Sequence, residues 1–240
     1  MPEISVVVPV LNEEENILPL IAEINNALKD KYDFEIIYVN DGSTDNTLEK
    51  LKFARKTFSN LRILTHQRKC GQSAAFRTGV LHAKSPVIAT LDGDGQNDPA
   101  NIPAMYELYK TKSANSNLRL VAGHRAHRQD SLNKKISSKL ANAIRKAMLR
   151  DNTPDTGCGL KVFSREVYLL LPFFDHIHRY MPALFIREGF SLESFIVNHR
   201  PRERGISKYG FWNRALVGIT DLLGVMWLIR RMKRSAVVEE

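Results

Sequence analysis

Short runs of β-branched residues alternate with longer segments of helical apolar spacing through the first half of the chain. Four of these runs have the length and composition of buried strands: residues 4–10, 34–39, 61–65 and 87–91. The segment after the first run carries its apolar residues on one helical face, at Ile17, Leu20, Ile21, Ile24 and Leu28. Further helices are predicted over 47–58 and after Gly71. This alternation predicts an α/β fold with a doubly wound, mainly parallel sheet.

The polar segment between the first strand and the first helix is predicted to cap that helix. Asn12 follows the strand directly, and asparagine is a favoured N-cap residue. Three glutamates come next, Glu13, Glu14 and Glu15, and acidic side chains stabilise the N-terminus of a helix. Residues 12–15 are therefore expected to form its first turn.

Two basic, amphipathic segments mark the second half of the chain. Residues 131–150 place apolar side chains in one i+4 row: Leu132, Ile136, Leu140, Ile144 and Met148. Residues 215–229 are the most apolar stretch, contain Asp221 and are followed by the basic segment 230–234. A membrane span needs about 20 residues, so each segment is predicted either to lie at a membrane interface or to pack as an ordinary core helix. Between them, a turn at 155–159 leads into a short predicted strand, 160–163.

Composition and charge exclude several classes of protein. The two cysteines, Cys70 and Cys158, form no CxxC or Cys/His cluster, which argues against a disulfide framework and structural zinc and favours a reducing compartment. The start of the chain has no basic and apolar leader, so no secretory signal is expected. The net charge of +9 is concentrated in residues 119–150, without interleaved aromatic residues. Phosphate groups or an anionic membrane, and not nucleic acid, are the predicted partners.

Polar residues follow three of the predicted strands at the point where each strand ends. They are Asn12 and Glu13 after the first, Asp41 after the second, and Asp92 and Asp94 after the fourth. Ligands of doubly wound sheets bind beyond the carboxyl ends of the strands, so these side chains are expected to share one site.

The segment Asp92-Gly-Asp-Gly-Gln96 is a candidate metal and diphosphate site. Its two carboxylates and one amide are oxygen ligands suited to Mg²⁺ or Mn²⁺, and its glycines let phosphates approach the backbone. A plain Asp/Gly-rich turn is the alternative. An EF-hand is excluded, because Pro103 stands where its closing glutamate would be.

Several Lys and Arg side chains could contact the phosphate oxygens of a ligand. Lys69 and Arg77 flank the predicted helix start Gly71-Gln72-Ser73, where backbone N–H groups can also bind an anion. Arg200, Arg202, Arg204 and Lys208 crowd one loop and resemble an anion clamp. For both groups of cations, a solvated basic surface is the alternative. For Asp41, the alternative to a ligand contact is an Asx turn or a helix cap.

Together these segments resemble glycosyltransferase family 2, and most closely its dolichyl- and polyprenyl-phosphate sugar synthase branch. The matching segments are VVVPVLNEEENI (6–17), VNDGSTDNT (39–47), KCGQSAAFRTG (69–79), LDGDGQNDP (91–99), AGHRAHR (122–128), DTGCGLKVF (155–163) and RERGISKYG (202–210). The resemblance implies a GT-A catalytic domain over 1–210, followed by an amphipathic membrane-interface or partner-docking tail over 211–240. It implies an inverting, metal-dependent transfer from a nucleotide-sugar to a polyprenyl phosphate on the cytoplasmic side of the membrane.

The resemblance also assigns roles to single residues. Pro9, Leu11, Glu13, Val39 and Asp41 would hold the nucleoside, with Lys69 and Gln72 near the donor phosphates. Asp92, Asp94 and Gln96 would hold the metal and the diphosphate, with Asp94 and Gln96 as direct ligands. Arg125, Arg202 and Lys208 would contact phosphates, with Arg128 as a further candidate. Asp155 opens the acceptor-side motif, either as a general base or as a residue that orients the acceptor.

Two departures from the family pattern qualify this resemblance. Leu11 stands where the family often has an aromatic residue, so base stacking is expected to be weaker or supplied elsewhere. Many relatives end in transmembrane helices, whereas this chain has only the segment 215–229, with Trp212 and Trp227 near its ends. Peripheral membrane association is therefore expected, with a small multi-spanning membrane protein as a candidate partner. The sequence is compatible with a homo-oligomer.

Three other functions compete with this interpretation. A family 2 transferase could act on a growing glycan or a lipid-A-type head group. A sugar-1-phosphate nucleotidyltransferase shares the sheet architecture but usually has a Gly-rich basic loop after the first strand, where this chain has Asn12 and three glutamates. A non-catalytic binding subunit is disfavoured, because every acidic position of the motifs is present. The sequence does not determine the sugar, and UDP is favoured over GDP.

Overall fold

The computed structural model describes residues 1–126, 145–201 and 211–233, and only the backbone from 211 to 217. Its seven strands are β1 (Ile4–Val10), β2 (Phe34–Asn40), β3 (Leu61–Thr65), β4 (Val87–Thr90), β5 (Leu118–His124), β6 (Lys161–Ser164) and β7 (Ser191–Ile196). They form one sheet in the order β3-β2-β1-β4-β6-β5-β7. Strand β6 runs antiparallel to both of its neighbours, β4 and β5, and the other pairs are parallel. The predicted mainly parallel α/β sheet is confirmed.

Helices cover both faces of this sheet. They are α1 (Ile17–Leu28), α2 (Thr47–Arg55), α3 (Gln72–His82), α4 (Ile102–Asn115), α5 (Arg165–Leu170), α6 (Met181–Arg187) and α7 (Phe211–Arg231). Alternate residues of β1 serve opposite cores: Val6 and Val8 pack with α1 and α4, whereas Val7 packs with α3 and α6. Burial on both faces explains why the parallel strands are apolar throughout.

The prediction that Asn12 caps the first helix is wrong. Helix α1 begins at Ile17, with Asn16 at the N-cap position. Asn12 instead adopts a left-handed backbone with φ 50°, which asparagine tolerates better than most residues. Its side-chain oxygen accepts a hydrogen bond from the Thr44 backbone N–H (2.8 Å), and its own N–H donates to Ser43 Oγ (2.9 Å). Asn12 therefore ties the loop after β1 to the loop after β2. The apolar face predicted for α1 is buried as expected.

The predicted helix 131–150 lies largely outside the described residues. Its last part, 145–149, is helical. Arg145 there donates to both carboxylate oxygens of Asp151 (2.5 and 2.6 Å) and to the Thr153 carbonyl (2.6 Å). This buried ion pair fixes the chain that leads to the turn at 155–159.

Helix α7 packs on the hydrophobic core through one face. Val225 is fully buried, and Leu222, Met226 and Ile229 pack against the same core cluster. Asp221 contacts His176 (Oδ2 to Nδ1, 2.9 Å), and the Tyr180 hydroxyl donates to the Gly218 carbonyl (3.2 Å). On another face, Ile219, Leu223 and Trp227 form an exposed i+4 row. One face of α7 thus packs as a core helix, and the membrane-interface role stays a prediction for the exposed apolar row.

Within the described residues, none of the helices has both the length and the apolar character needed to cross a membrane. The proposed boundary at residue 210 falls outside the described part of the chain and stays a prediction.

Candidate active site

The carboxyl ends of β1, β2 and β4 meet at one edge of the sheet, as predicted. The turn after β4 carries the candidate metal ligands and is shaped by its own polar groups. The Asp92 backbone N–H donates to Asn97 Oδ1 (3.1 Å), and the Gln96 N–H donates to Asp94 Oδ1 (3.2 Å). Gly95 has φ 74°, a left-handed conformation that favours glycine. Asp92, Asp94 and Gln96 therefore lie on a single tight turn.

The electrostatics of this turn fit a divalent cation. Burial and the neighbouring charge of Asp94 raise the pKa of Asp92 to about 6, against the opposing effects of Lys161, Arg125 and a hydrogen bond from Gln72. The Gln72 Nε2 to Asp92 Oδ1 distance is 2.9 Å. Two crowded carboxylates lose this repulsion when a cation binds between them. The side-chain NH₂ of Gln96 donates to the Arg200 carbonyl (3.4 Å), so its oxygen is the atom that could coordinate a metal.

Arg125 and Asp155, each predicted separately, form one ion pair. Arg125 Nε donates to Asp155 Oδ2 (2.7 Å) and Nη2 donates to Oδ1 (2.9 Å), while the Arg125 backbone N–H also donates to Oδ2 (3.2 Å). Burial alone would raise the pKa of Asp155, but the bonds from Arg125 outweigh it and lower that pKa below its usual range. Asp155 is therefore a carboxylate at neutral pH, with both oxygens held by Arg125.

Lys161 was not predicted from the sequence, although it lies close enough to Asp92 and Asp155 to lower the pKa of both. This lysine is almost completely buried in β6, and its ammonium donates to the Cys158 carbonyl. Burial lowers its pKa, while Cys158, Asp92 and Asp155 act in the opposite direction. A lysine inside an otherwise apolar strand was the available signal, because buried lysines need a partner.

The proposed nucleoside residues surround the ends of β1 and β2. Asp41 is almost completely buried. It accepts hydrogen bonds from the backbone N–H groups of Cys70 and Gly71 (both 2.8 Å), and it also contacts His66 Nδ1 (2.8 Å). In this structure it anchors the loop before α3. Pro9 lies in the cleft beside Asp92, whereas Val39 is fully buried, so that only its backbone could touch a ligand.

The remaining nucleoside and phosphate candidates differ in exposure. Leu11 and Glu13 are partly buried, and Lys69 is exposed. The Glu13 carboxylate accepts a bond from Asn16 Nδ2 (2.8 Å), which places it in the turn before α1.

A second group of metal-binding side chains lies at this end of the sheet. Asp41, His66 and Cys70 each place a ligand atom within 4.8 Å of the others. These atoms already take part in hydrogen bonds: His66 Nε2 contacts Thr78 Oγ1 (2.9 Å) and Cys70 Sγ contacts the Arg68 carbonyl (3.2 Å). The repulsion between Asp92 and Asp94 makes their turn the better place for a cation.

Arg200 does not belong to an anion clamp, contrary to the prediction. Its guanidinium donates to Glu23 Oε2 and to Asp98 Oδ1 (both 2.7 Å), and its backbone N–H donates to the Gln96 carbonyl (3.0 Å). Two acids therefore neutralise it, and it fastens its segment to the metal turn. Arg128, Arg202, Arg204 and Lys208 lie outside the described residues.

Comparison with known proteins identifies the family of this chain. The sequence pattern of "Glycosyl transferase family 2" matches residues 5–171. The chain belongs to this family. It is 36% identical over 237 residues to the dodecaprenyl-phosphate galacturonate synthase of Rhizobium johnstonii, covering 97% of this chain and 69% of the relative. It is 33% identical over 215 residues to the undecaprenyl-phosphate 4-deoxy-4-formamido-L-arabinose transferase of Photorhabdus laumondii, covering 87% of this chain and 63% of the relative.

Solved structures of other glycosyltransferases share the fold. Glucosyl-3-phosphoglycerate synthase from Mycobacterium tuberculosis, in complex with Mn²⁺, UDP and glucosyl-3-phosphoglycerate, matches with a TM-score of 0.70 at 18% identity, over 98% of this chain and 82% of that chain. A mannosyltransferase from Pyrobaculum calidifontis, in complex with GDP-Man and Mn²⁺, matches with a TM-score of 0.64 at 18% identity, over 98% and 66%. The predicted family resemblance and GT-A fold are confirmed.

Removal of divalent metal should abolish the activity of this family 2 transferase. We expect complete loss in EDTA and recovery with Mg²⁺ or Mn²⁺, because the crowded Asp92 and Asp94 carboxylates need a cation before they can accept a diphosphate. Asp94→Asn should weaken Mn²⁺ binding by at least about tenfold, measured by electron paramagnetic resonance of the free ion. Asp98→Asn is the matched control, since Asp98 on the same turn is directed to Arg200. Full activity in chelator, or unchanged Mn²⁺ affinity of Asp94→Asn, would contradict the metal assignment.

Proposed function

We propose that this glycosyltransferase moves a sugar from a nucleotide-sugar to a polyprenyl phosphate, with inversion at the anomeric carbon. An oxygen of the acceptor phosphate attacks the anomeric carbon, and the bond from that carbon to the nucleoside diphosphate breaks in the same step. Both relatives named above carry a polyprenyl phosphate in their names, which supports this acceptor. They differ in the sugar, a galacturonate in one and a formamido-arabinose in the other, and so leave the sugar open.

The choice of a phosphate acceptor rests on the hydrogen bonds and the lowered pKa of Asp155. A sugar hydroxyl acceptor needs a general base to take its proton. Asp155 occupies the acceptor-side motif, but both of its oxygens are bonded to Arg125 and its pKa is lowered, which makes it a weak base. A phosphate acceptor is already anionic and needs no base. The geometry therefore favours a polyprenyl phosphate over the hydroxyl of a glycan or of a lipid-A-type head group.

The donor side of the proposal uses the turn after β4. Asp92, Asp94 and Gln96 would hold Mg²⁺ or Mn²⁺. When bound, the cation stabilises the negative charge that develops on the diphosphate leaving group. Pro9, Leu11, Glu13 and Asp41 are the proposed nucleoside contacts, and UDP is the nucleotide to test first. Arg125 would orient the acceptor phosphate, because Asp155 fixes its guanidinium at the edge of the site.

The acceptor can be tested directly with labelled donor sugars. We expect transfer to undecaprenyl phosphate and no transfer to undecaprenol, a matched lipid that lacks only the phosphate. The product should release its sugar in mild acid, because the sugar is joined through a single phosphate. Asp94→Ala provides the inactive control. Label found on a glycan or head-group hydroxyl, or equal transfer to undecaprenol, would refute the phosphate acceptor.

We further propose that the enzyme reaches its lipid by peripheral association with the cytoplasmic membrane surface through α7. Its exposed row of Ile219, Leu223 and Trp227 lies beside the exposed basic residues Arg230 and Arg231. Apolar insertion and attraction to anionic lipid would act together, at about 1 kcal/mol for each basic residue near the surface.

Vesicle flotation measures this association. The full chain should float with anionic vesicles at low salt, and less as salt rises. Replacing Leu223 and Trp227 together by serine should abolish flotation, because the apolar row is lost while the buried face of α7 is kept. Phe53→Ser is the matched control, since Phe53 on α2 is as exposed as Trp227 (60% and 59%). A full chain that stays unbound under all conditions would exclude autonomous binding, and co-purification with a small multi-spanning protein would then identify the alternative anchor.

A further inference from the structure

A pocket opens beneath Asp92, between α3 and the segment 177–181. We call it the Asp92 pocket. Besides the Cys158 thiol, whose pKa is raised by burial, its ionisable lining side chains are Asp92, Lys161, His178 and Arg179. Because Asp92 belongs to the turn proposed to hold the diphosphate, a sugar attached to that diphosphate would enter this pocket. The charges on its wall therefore bear on which sugar the enzyme accepts.

Three of the four ionisable groups are already accounted for. Lys161 lies close enough to Asp92 to act on its pKa, and the two carry opposite charges. His178 contributes no charge at neutral pH, since burial and the nearby Arg179 lower its pKa well below the usual value. Its Nδ1 contacts Ser73 Oγ (2.8 Å). The remaining group, Arg179, is a guanidinium, which keeps its charge at every working pH.

Arg179 has a positive charge without an acidic partner in the described part of the chain. Arg125 pairs with Asp155, and Arg200 pairs with Glu23 and Asp98, whereas none of the ion pairs in this part of the chain includes Arg179. Arg179 is half-buried on the pocket wall. A partly desolvated cation that faces a cavity is stabilised by an anion in that cavity.

The backbone around Arg179 is held firmly in place. The turn Ile177–Arg179 follows His176, which has a left-handed backbone with φ 64°. His176 is fixed by Asp221 of α7 (2.9 Å), and Tyr180 on the other side is bonded to Gly218 of the same helix (3.2 Å). Contacts on both sides of Arg179 thus pre-organise its position, as recognition of a specific anion requires.

We propose that Arg179 binds a carboxylate on the donor sugar, so that the donor class is a nucleoside diphosphate uronic acid. This inference rests on the proposed function, because it assumes that the sugar enters the Asp92 pocket. Donor and acceptor phosphates are the other anions of the reaction, but the metal turn and Arg125 already provide for them. A planar guanidinium matches a carboxylate through two parallel hydrogen bonds, and a neutral sugar would leave Arg179 unpaired.

Matched donor pairs test the inference. UDP-glucuronate and UDP-glucose differ only at the sixth carbon, as do UDP-galacturonate and UDP-galactose. Binding of each is measured by calorimetry with Mn²⁺, and transfer is measured with undecaprenyl phosphate. The wild-type enzyme should prefer one of the uronates over its neutral partner by about 10- to 100-fold. Arg179→Gln should erase that preference without changing the affinity for UDP. Arg179→Lys should keep part of it, and Arg55→Gln, an exposed arginine on α2, should keep all of it.

The outcomes separate this inference from the proposed function. Equal or better binding of the neutral sugars, or no binding of either uronate, would overturn the uronate donor. If Arg179→Gln lost as much affinity for UDP as for the UDP-uronate, Arg179 would be assigned to the diphosphate. If only the KM of the lipid acceptor rose, Arg179 would be assigned to the acceptor phosphate. Both results overturn the inference. A uronate preference in binding without transfer to polyprenyl phosphate would support the inference and refute the proposed acceptor.

Discussion

Compensation of charge at the carboxyl end of the sheet is the interaction on which the site depends. Three carboxylates, those of Asp92, Asp94 and Asp155, come together there, and unpaired buried charges are costly. Arg125 neutralises Asp155 through two side-chain bonds, and Lys161 offsets part of the charge of Asp92 from within the sheet. The repulsion that remains between Asp92 and Asp94 is what a divalent cation would remove. Arg125 and Lys161 therefore each offset one of these three carboxylates.

The antiparallel strand β6 makes this compensation possible. It lies between β4 and β5, so that the loop before it crosses the metal turn, and Thr90 Oγ1 of β4 donates to the Gly159 carbonyl (2.7 Å). A side chain at position 159 would overlap the Asp92 carboxylate, and only glycine allows the two segments to approach so closely. The same strand brings Lys161 under the site. Donor-side and acceptor-side motifs distant in sequence are thereby held together, as the proposed single displacement of the diphosphate by the acceptor phosphate requires.

Features encoded by neighbouring residues could be predicted from the sequence, and features that depend on distant pairing could not. The buried face of α1 and the apolar strands follow from local periodicity, and Asp92, Asp94 and Gln96 share one short turn. Asn12 was misassigned because its partners lie in another loop, more than thirty residues away. Arg125 and Asp155 were each identified by family resemblance, but their ion pair joins positions 30 residues apart. Lys161 and Arg179 were missed, because only the insertion of β6 and the docking of α7 reveal what surrounds them.

In the proposed reaction the anionic acceptor needs no base, and Asp155 acts by orienting Arg125. The most direct test is the steady-state kinetics of Asp155→Asn with undecaprenyl phosphate. We predict that the acceptor KM rises while kcat stays within about tenfold of the wild type, since a general base contributes about 10²- to 10⁴-fold. Arg125→Met should reproduce this effect, and the double variant should add little to it, because both changes break one ion pair. A fall in kcat of a hundredfold or more in Asp155→Asn, with an unchanged acceptor KM, would contradict the account and make Asp155 the base.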